Sequence, residues 1–175
     1  MKQASLLVIL ACLAVTSCRT YSEPTTATDN SVAARDRQEI LDLIAHYSHT
    51  WDGRDASGWS DLFLPQGMWE MYCDGQSTRS LDSKQARLKF AQAQHRAFAS
   101  QGIVTRHHQT NTLLRTHADG AIHGVTIFSV LWQRAEEPAP KLVHSGVYRD
   151  VFVKTRGSWK FQRREVRVDH AQAER

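Results

Sequence analysis

From Ile40 onward, apolar residues recur at Ile40, Leu43, Ile44, Tyr47 and Trp51. Offsets of three and four put all five on one side of an α-helix, so the segment up to Trp51 reads as an amphipathic helix with a buried stripe. Asp36, followed three residues on by Glu39, has the capping-box form, and Gly53 suits the C-cap. A short second helix is expected from Ala56 to Leu64, carrying Trp59, Leu62 and Phe63, with Pro65-Gln66-Gly67 as its stop. "MWEMYC" reads as a strand ended by an Asp74-Gly75 turn. "SKQARLKFAQAQHRAFAS" is the next helix, with Leu88, Ala91, His95 and Phe98 on one side and Gly102 beyond its end.

From Val104 the periodicity changes to strands and hairpin turns. "TRHHQTNTLLRTH" turns at Asp119-Gly120 into "AIHGVTIFSVLWQR". The loop "AEEPAP" leads to "KLVHSGVYRDVFVKT", which turns at Arg156-Gly157 into "SWKFQRREVRVDH". Helices followed by a four-strand antiparallel meander make an α+β domain. The expected architecture is a strongly curved antiparallel sheet wrapped around the N-terminal helices, a cone-like α+β barrel. Alternate residues of its strands would wall an internal pocket. On the last strand, Trp159 and Phe161 share parity with Arg163, Glu165 and Arg167. Unless a bulge intervenes, at least one of those charges should then face inward.

The N-terminal segment has a different pattern. "MKQASLLVILACLAVTSC" carries one early positive charge, an apolar run from Leu6 to Val15, then small residues and a cysteine. That is the layout of a secretory signal, with an apolar run too short to remain as a membrane span. Val15-Thr16-Ser17-Cys18 resembles the bacterial lipobox, in which the cysteine is lipidated after cleavage. Residues 1–17 are therefore read as signal peptide, 18–31 as a disordered tether, and 32–175 as one domain. The expected location is a membrane-anchored lipoprotein facing the periplasm, touching the membrane only through Cys18. With Cys12 and Cys18 so assigned, Cys73 stands alone and no intrachain disulfide is available.

Composition adds exclusions. The formal charge of +4 falls to +3 once Lys2 leaves with the signal. Apart from "RREVR", basic residues are dispersed among acidic ones, which disfavours nucleic acid as a partner. The nine histidines include no metal-binding spacing: His46 and His49 lack a matching carboxylate motif, and His107 and His108 point to opposite faces of a strand. No metal is expected. The absence of a glycine-rich phosphate loop argues against a nucleotide cofactor, and no cofactor is expected. No G-x-S-x-G setting supports a serine nucleophile.

One residue is out of place. In "HYSHTWDGRD", Asp52 ends the helical stripe, where the helix's own partial negative charge disfavours a carboxylate. Taken singly, Tyr47 reads as core, Asp52 as the start of a loop, and His107 as a cross-sheet hydrogen-bonding group. A helix ending Y-x-x-x-x-D, then "LFLPQGMW", H-x-x-T-N, G-x-Y-x-D and a terminal "WKF" together resemble the nuclear-transport-factor-2-like superfamily. The SnoaL-like branch fits best, with its relatives scytalone dehydratase, bile-acid 7α-dehydratase and hexachlorocyclohexane dehydrochlorinase. The resemblance runs from about Asp36 to Val168.

In those enzymes a histidine oriented by an aspartate removes a proton and a leaving group departs. The resemblance implies Asp52 and His107 as that pair, with Tyr47 as a hydrogen-bond donor. His108 beside His107 keeps the choice of base open. The resemblance places a last-strand arginine at Arg167, which is expected to pair with an acidic substrate group or only with Glu165. Asn111 is expected to share the inward side of its strand with His107 and Leu113, and Trp51 to meet the ligand. Asp150 takes the Y-x-D position.

Two classes of function follow. One is a cofactor-independent lyase or isomerase, dehydratase-like, acting on a hydrophobic cyclic small molecule. The other is a non-catalytic pocket domain binding a small ligand or partner. An accessory role like the small subunit of ring-hydroxylating dioxygenases is a third reading, which export disfavours. Dimers are usual in the family, so a homodimer is an expectation too. If the pair is catalytic, His107→Ala and Asp52→Asn are each expected to abolish most turnover while leaving the melting temperature roughly intact or raised. The leader reading has its own test: Cys18→Ala should abolish membrane association while the domain stays folded. Mass spectrometry finding a mature N-terminus elsewhere, without an acyl chain, would contradict it.

Overall fold

The computed structural model describes residues 31–169. The expected signal peptide, Cys18 and most of the expected tether lie outside the described residues. Helix α1, Ala34–Asp52, buries the stripe Ile40, Leu43, Ile44, Tyr47 and Trp51. Its start differs from the expected capping box. The N-cap is Ala33, with no side-chain cap. Asp36 instead binds outward, accepting from Lys154 Nζ at 2.7 Å and Trp159 Nε1 at 3.0 Å. Tertiary partners outcompete the local cap. Gly53 does occupy the C-cap.

Helix α2 is shorter than expected, Ala56–Asp61, capped by Asp55. Strand β1, Phe63–Cys73, absorbs Pro65-Gln66-Gly67 into an irregular stretch between Phe63 and Met68. The buried Arg87 pins that stretch by donating to the carbonyls of Gly67 and Leu64. Burial lowers the Arg87 guanidinium to a pKa of about 10. Strand β2, Gln76–Leu81, is a hairpin partner of β1 that the sequence pattern had not suggested. Helix α3, Lys84–Ser100, follows under a Ser83 N-cap, and Gly102 past its end takes the left-handed conformation.

Strands β3 (Val104–Thr116), β4 (Ile122–Gln133), β5 (Lys141–Thr155) and β6 (Ser158–Val168) form the expected meander. Among the described residues the sheet has six strands in the order β2-β1-β6-β5-β4-β3. It is mixed rather than purely antiparallel, because β1 pairs parallel to β6. It is an open sheet, so the cone is not a closed barrel.

Two irregularities re-aim side chains. In β6, Phe161 pairs with Phe152 but Arg163 pairs with Val151, so Gln162 is an extra residue. Beyond it, Arg164, Val166 and Val168 are buried, while Arg163, Glu165 and Arg167 face away. In β3, Asn111 and Thr112 together oppose Thr126. Asn111 sits there at a φ of 54°, a left-handed conformation that asparagine tolerates better than most residues. Leu113 is consequently 62% exposed.

The core is aromatic around one buried ion pair. Arg164 forms a two-pronged bond to Asp150, both contacts at 2.8 Å. Its guanidinium lies 4.1 Å from the ring centroids of Tyr47 and Tyr148 and 4.4 Å from that of Phe161. Burial alone would lower the guanidinium's pKa, but the Asp150 carboxylate reverses this and holds it above its ordinary value. Removing one partner should therefore be far worse than removing both. In urea denaturation, Asp150→Ala is expected to cost about 3–5 kcal/mol, leaving a buried charge unpaired. The double variant Asp150→Leu with Arg164→Met should be distinctly milder.

Candidate functional site

Asp52 is the last residue of α1, and the edge strand β3 runs beside it. Its carboxylate accepts three hydrogen bonds from that strand. Thr105 Oγ1 donates at 2.8 Å, the His107 backbone N–H at 2.9 Å, and His107 Nδ1 lies 2.7 Å from Oδ1. Only 10% of the His107 side chain and 12% of the Asp52 side chain remain exposed. Burial pushes the Asp52 carboxyl up, yet the His107 ring bond, the His107 charge, the backbone bond and Thr105 together bring it below its ordinary value of 3.8. Asp52 is thus ionised at neutral pH. An ionised carboxylate can only accept, so His107 Nδ1 must donate. In the neutral ring this leaves Nε2 with its lone pair.

His107 also lines an internal cavity of about 270 Å³ between α1, α3 and the sheet. Trp51, Trp69, Phe90, Phe98, Phe128 and Trp132 supply most of its wall. Tyr47 and Tyr148 complete it from the core side, and Gln94 and His144 are its other polar side chains. Among the described residues, no Lys, Arg, Asp or Glu lines this space. On its other side, the Asp52–His107 pair borders a groove of about 620 Å³ between α1 and β3, with Arg106, Gln109 and Ser48 on its walls. Gln109 ties the groove's two sides, donating to Ile44 O at 2.7 Å and Ser48 Oγ at 2.6 Å.

The sequence-derived candidates divide clearly. Asp52, His107, Tyr47 and Trp51 converge. The Tyr47 hydroxyl accepts from Trp69 Nε1 at 2.9 Å, which leaves its own proton to donate. The Trp51 ring meets His107 edge-on, with centroids 6.3 Å apart. Arg167 does not join them. It binds Glu165 at 2.8 Å and covers the Tyr72 ring, turned outward by the Gln162 bulge. Asn111 is exposed at the β3 bulge, one extra residue having reversed the parity that was expected to align it with His107. His108 is exposed, so His107 is the histidine on the cavity. Asp150 belongs to the core pair.

His144 and Gln94 were missed. A signal for His144 existed: on β5 it continues the alternation of Gly146, Tyr148, Asp150 and Phe152, all buried. Gln94 had a signal too, lying four residues after Phe90 and four before Phe98, both of which line the same cavity. Among the described residues, no group of three or more His, Cys, Asp or Glu gathers to hold a metal ion.

The three bonds also correct the expectation that Asp52 is dispensable for stability. An asparagine there would turn an NH2 group toward a backbone donor or surrender an acceptor. Because the folded pKa lies below the unfolded one, ionised Asp52 contributes stability above the unfolded value, and this is lost as pH falls through the folded value. The unfolding free energies of native protein and Asp52→Asn should therefore differ most near neutral pH and converge in acid below about pH 4. Equilibrium denaturation across pH measures this directly.

Comparison with known proteins places these features in a family. No curated protein matches the chain. Among solved structures, ActVI-ORFA from Streptomyces coelicolor is similar at 25% identity and a TM-score of 0.71, covering 81% of this chain and 100% of its own. Rv3472 from Mycobacterium tuberculosis, a protein of unknown function solved as an aspartate-to-asparagine variant, is 27% identical. Its TM-score is 0.63, with 78% of this chain and 76% of its own covered. A protein from Catenulispora acidiphila in complex with S-DNPA shares the fold at 20% identity and a TM-score of 0.66, over 78% and 95% of the two chains. The model of the SnoaL-like domain matches residues 32–165. With that match spanning most of the chain, the protein belongs to the SnoaL-like domain family.

Proposed function

We propose that this domain is a cofactor-independent lyase or isomerase in which His107, oriented by Asp52, abstracts a proton from an uncharged, apolar, cyclic small molecule. The observation that carries the reading is the 2.7 Å contact between His107 Nδ1 and Asp52, on a ring that also lines the aromatic cavity. A histidine works as a general base without a large perturbation of its titration, and a carboxylate on the far nitrogen fixes the tautomer and stabilises the imidazolium that forms. Tyr47 is suited to donate to a developing oxyanion. With no cationic side chain on the cavity wall, an uncharged substrate fits better than a carboxylate. Binding of S-DNPA by the Catenulispora relative supports a small-molecule occupant.

The binding-module reading rests on that same complex, since holding a ligand requires no turnover. Proton exchange separates the two. 2-Tetralone, an uncharged bicyclic ketone with acidic α-protons, is expected to exchange those protons for deuterium in D2O when the protein is added, followed by proton NMR. His107→Ala and Asp52→Asn, each checked for folding, should each remove most of the acceleration. The double variant should lose little more, because the two residues act as a unit. Tight binding of 2-tetralone with no acceleration would assign the domain to the binding class.

A further inference from the structure

The same cavity holds a second imidazole that the reading above leaves unused. His144 lies on β5 and His107 on β3, and both are cross-strand partners of Val130 on the intervening β4. One row across the sheet thus reads His107, Val130, His144, with all three on the cavity wall. Two strand spacings separate the histidine backbones, roughly 9–10 Å. Side chains reaching into one cavity from backbones that far apart can converge on neighbouring atoms of a bound molecule, an acidic C–H and the carbonyl oxygen beside it.

Three further observations converge on His144. Its Nδ1 is buried and has no hydrogen-bond partner. A buried nitrogen left without a partner is unfavourable, and an occupant's oxygen brought against the ring would relieve it. Burial, reinforced by the charge of His107, holds the pKa of His144 below its ordinary value, so at neutral pH the ring keeps one N–H and one lone pair. The neighbourhood is otherwise apolar, the Trp132 ring standing edge-on at 6.3 Å.

We propose that His144 is the second working group of this cavity, hydrogen-bonding the carbonyl oxygen of the bound molecule while His107 removes the α-proton. The inference rests on the reading of His107 as base. In the step, the C–H bond breaks as His107 Nε2 takes the proton. The electron pair forms a carbon–carbon double bond and moves onto the carbonyl oxygen, where the His144 N–H stabilises the enolate without transferring its proton. Where the substrate carries a β-hydroxyl, the pair returns and expels it, and the proton on His107 leaves with it as water.

The test uses 2-tetralone labelled with carbon-13 at the carbonyl, bound to the full domain and observed by difference infrared spectroscopy beside the α-exchange rate. In the native protein the carbonyl stretch should fall below its value in a non-hydrogen-bonding solvent. His144→Leu should return the stretch toward that value and slow exchange roughly 10²-fold, as loss of an oxyanion donor does. His144→Gln, which keeps an N–H donor, should recover part of both, and it serves as the readout if the leucine variant fails to fold. His107→Ala should keep the lowered stretch but lose exchange. An unchanged stretch and rate in the His144 variants would overturn the proposal and leave the His107 reading standing. A lowered, His144-dependent stretch with no exchange in the native protein would overturn the His107 reading and keep the hydrogen bond. Failure of the native protein to bind 2-tetralone would overturn the assignment of this cavity to an uncharged ketone, and the proposal with it.

Discussion

A single carboxylate at the wrong end of a helix organises this molecule. Asp52 closes α1 where the helix dipole opposes negative charge. It remains ionised because three donors of β3 converge on it. Since β3 is an edge strand among the described residues, paired in the sheet only with β4, the carboxylate, together with Gln109, ties it to the helical layer. The same bonds set the His107 ring by its Nδ1 and leave the other nitrogen for the cavity. Fold and candidate chemistry therefore share one interaction, and it cannot be altered for one without a cost to the other.

The apolar character of the cavity depends on a second constraint. A fully buried arginine would ordinarily be a polar intrusion, but Arg164 is paired with Asp150 through Nε and Nη2 and enclosed by aromatic faces. Tyr47 stands at the junction, with one face against the guanidinium and its hydroxyl held by Trp69. The ion pair rigidifies the aromatic wall without presenting a charge to the cavity. What polarity remains there comes from His107, His144, Gln94 and the tyrosines, in keeping with pockets whose few polar groups set orientation.

How much of this was readable in the sequence depends on whether the signal is local. The α1 stripe was legible because Ile40, Leu43, Ile44, Tyr47 and Trp51 obey one period and all five are buried. Asp52 stood out because its conflict with the helix end is local as well. The β2 strand was not legible: five of its six residues are exposed, so "QSTRSL" has no apolar alternation to betray it. The parallel pairing of β1 with β6 joins segments almost a hundred residues apart, a contact that no local pattern encodes. The errors over Asn111 and Arg167 share a cause. Each lies at or beyond a bulge, and one extra residue inverts every side chain that follows.

The central claim is that Asp52 fixes His107 with its proton on Nδ1 and its lone pair on Nε2. Nitrogen-15 NMR of histidine-labelled protein at neutral pH, with His107 assigned by its loss in His107→Ala, reads that tautomer directly. The account predicts a protonated Nδ1 and an unprotonated Nε2 in the neutral ring, with the preference weakened in Asp52→Asn. A neutral His107 ring protonated at Nε2 in the native protein would contradict it.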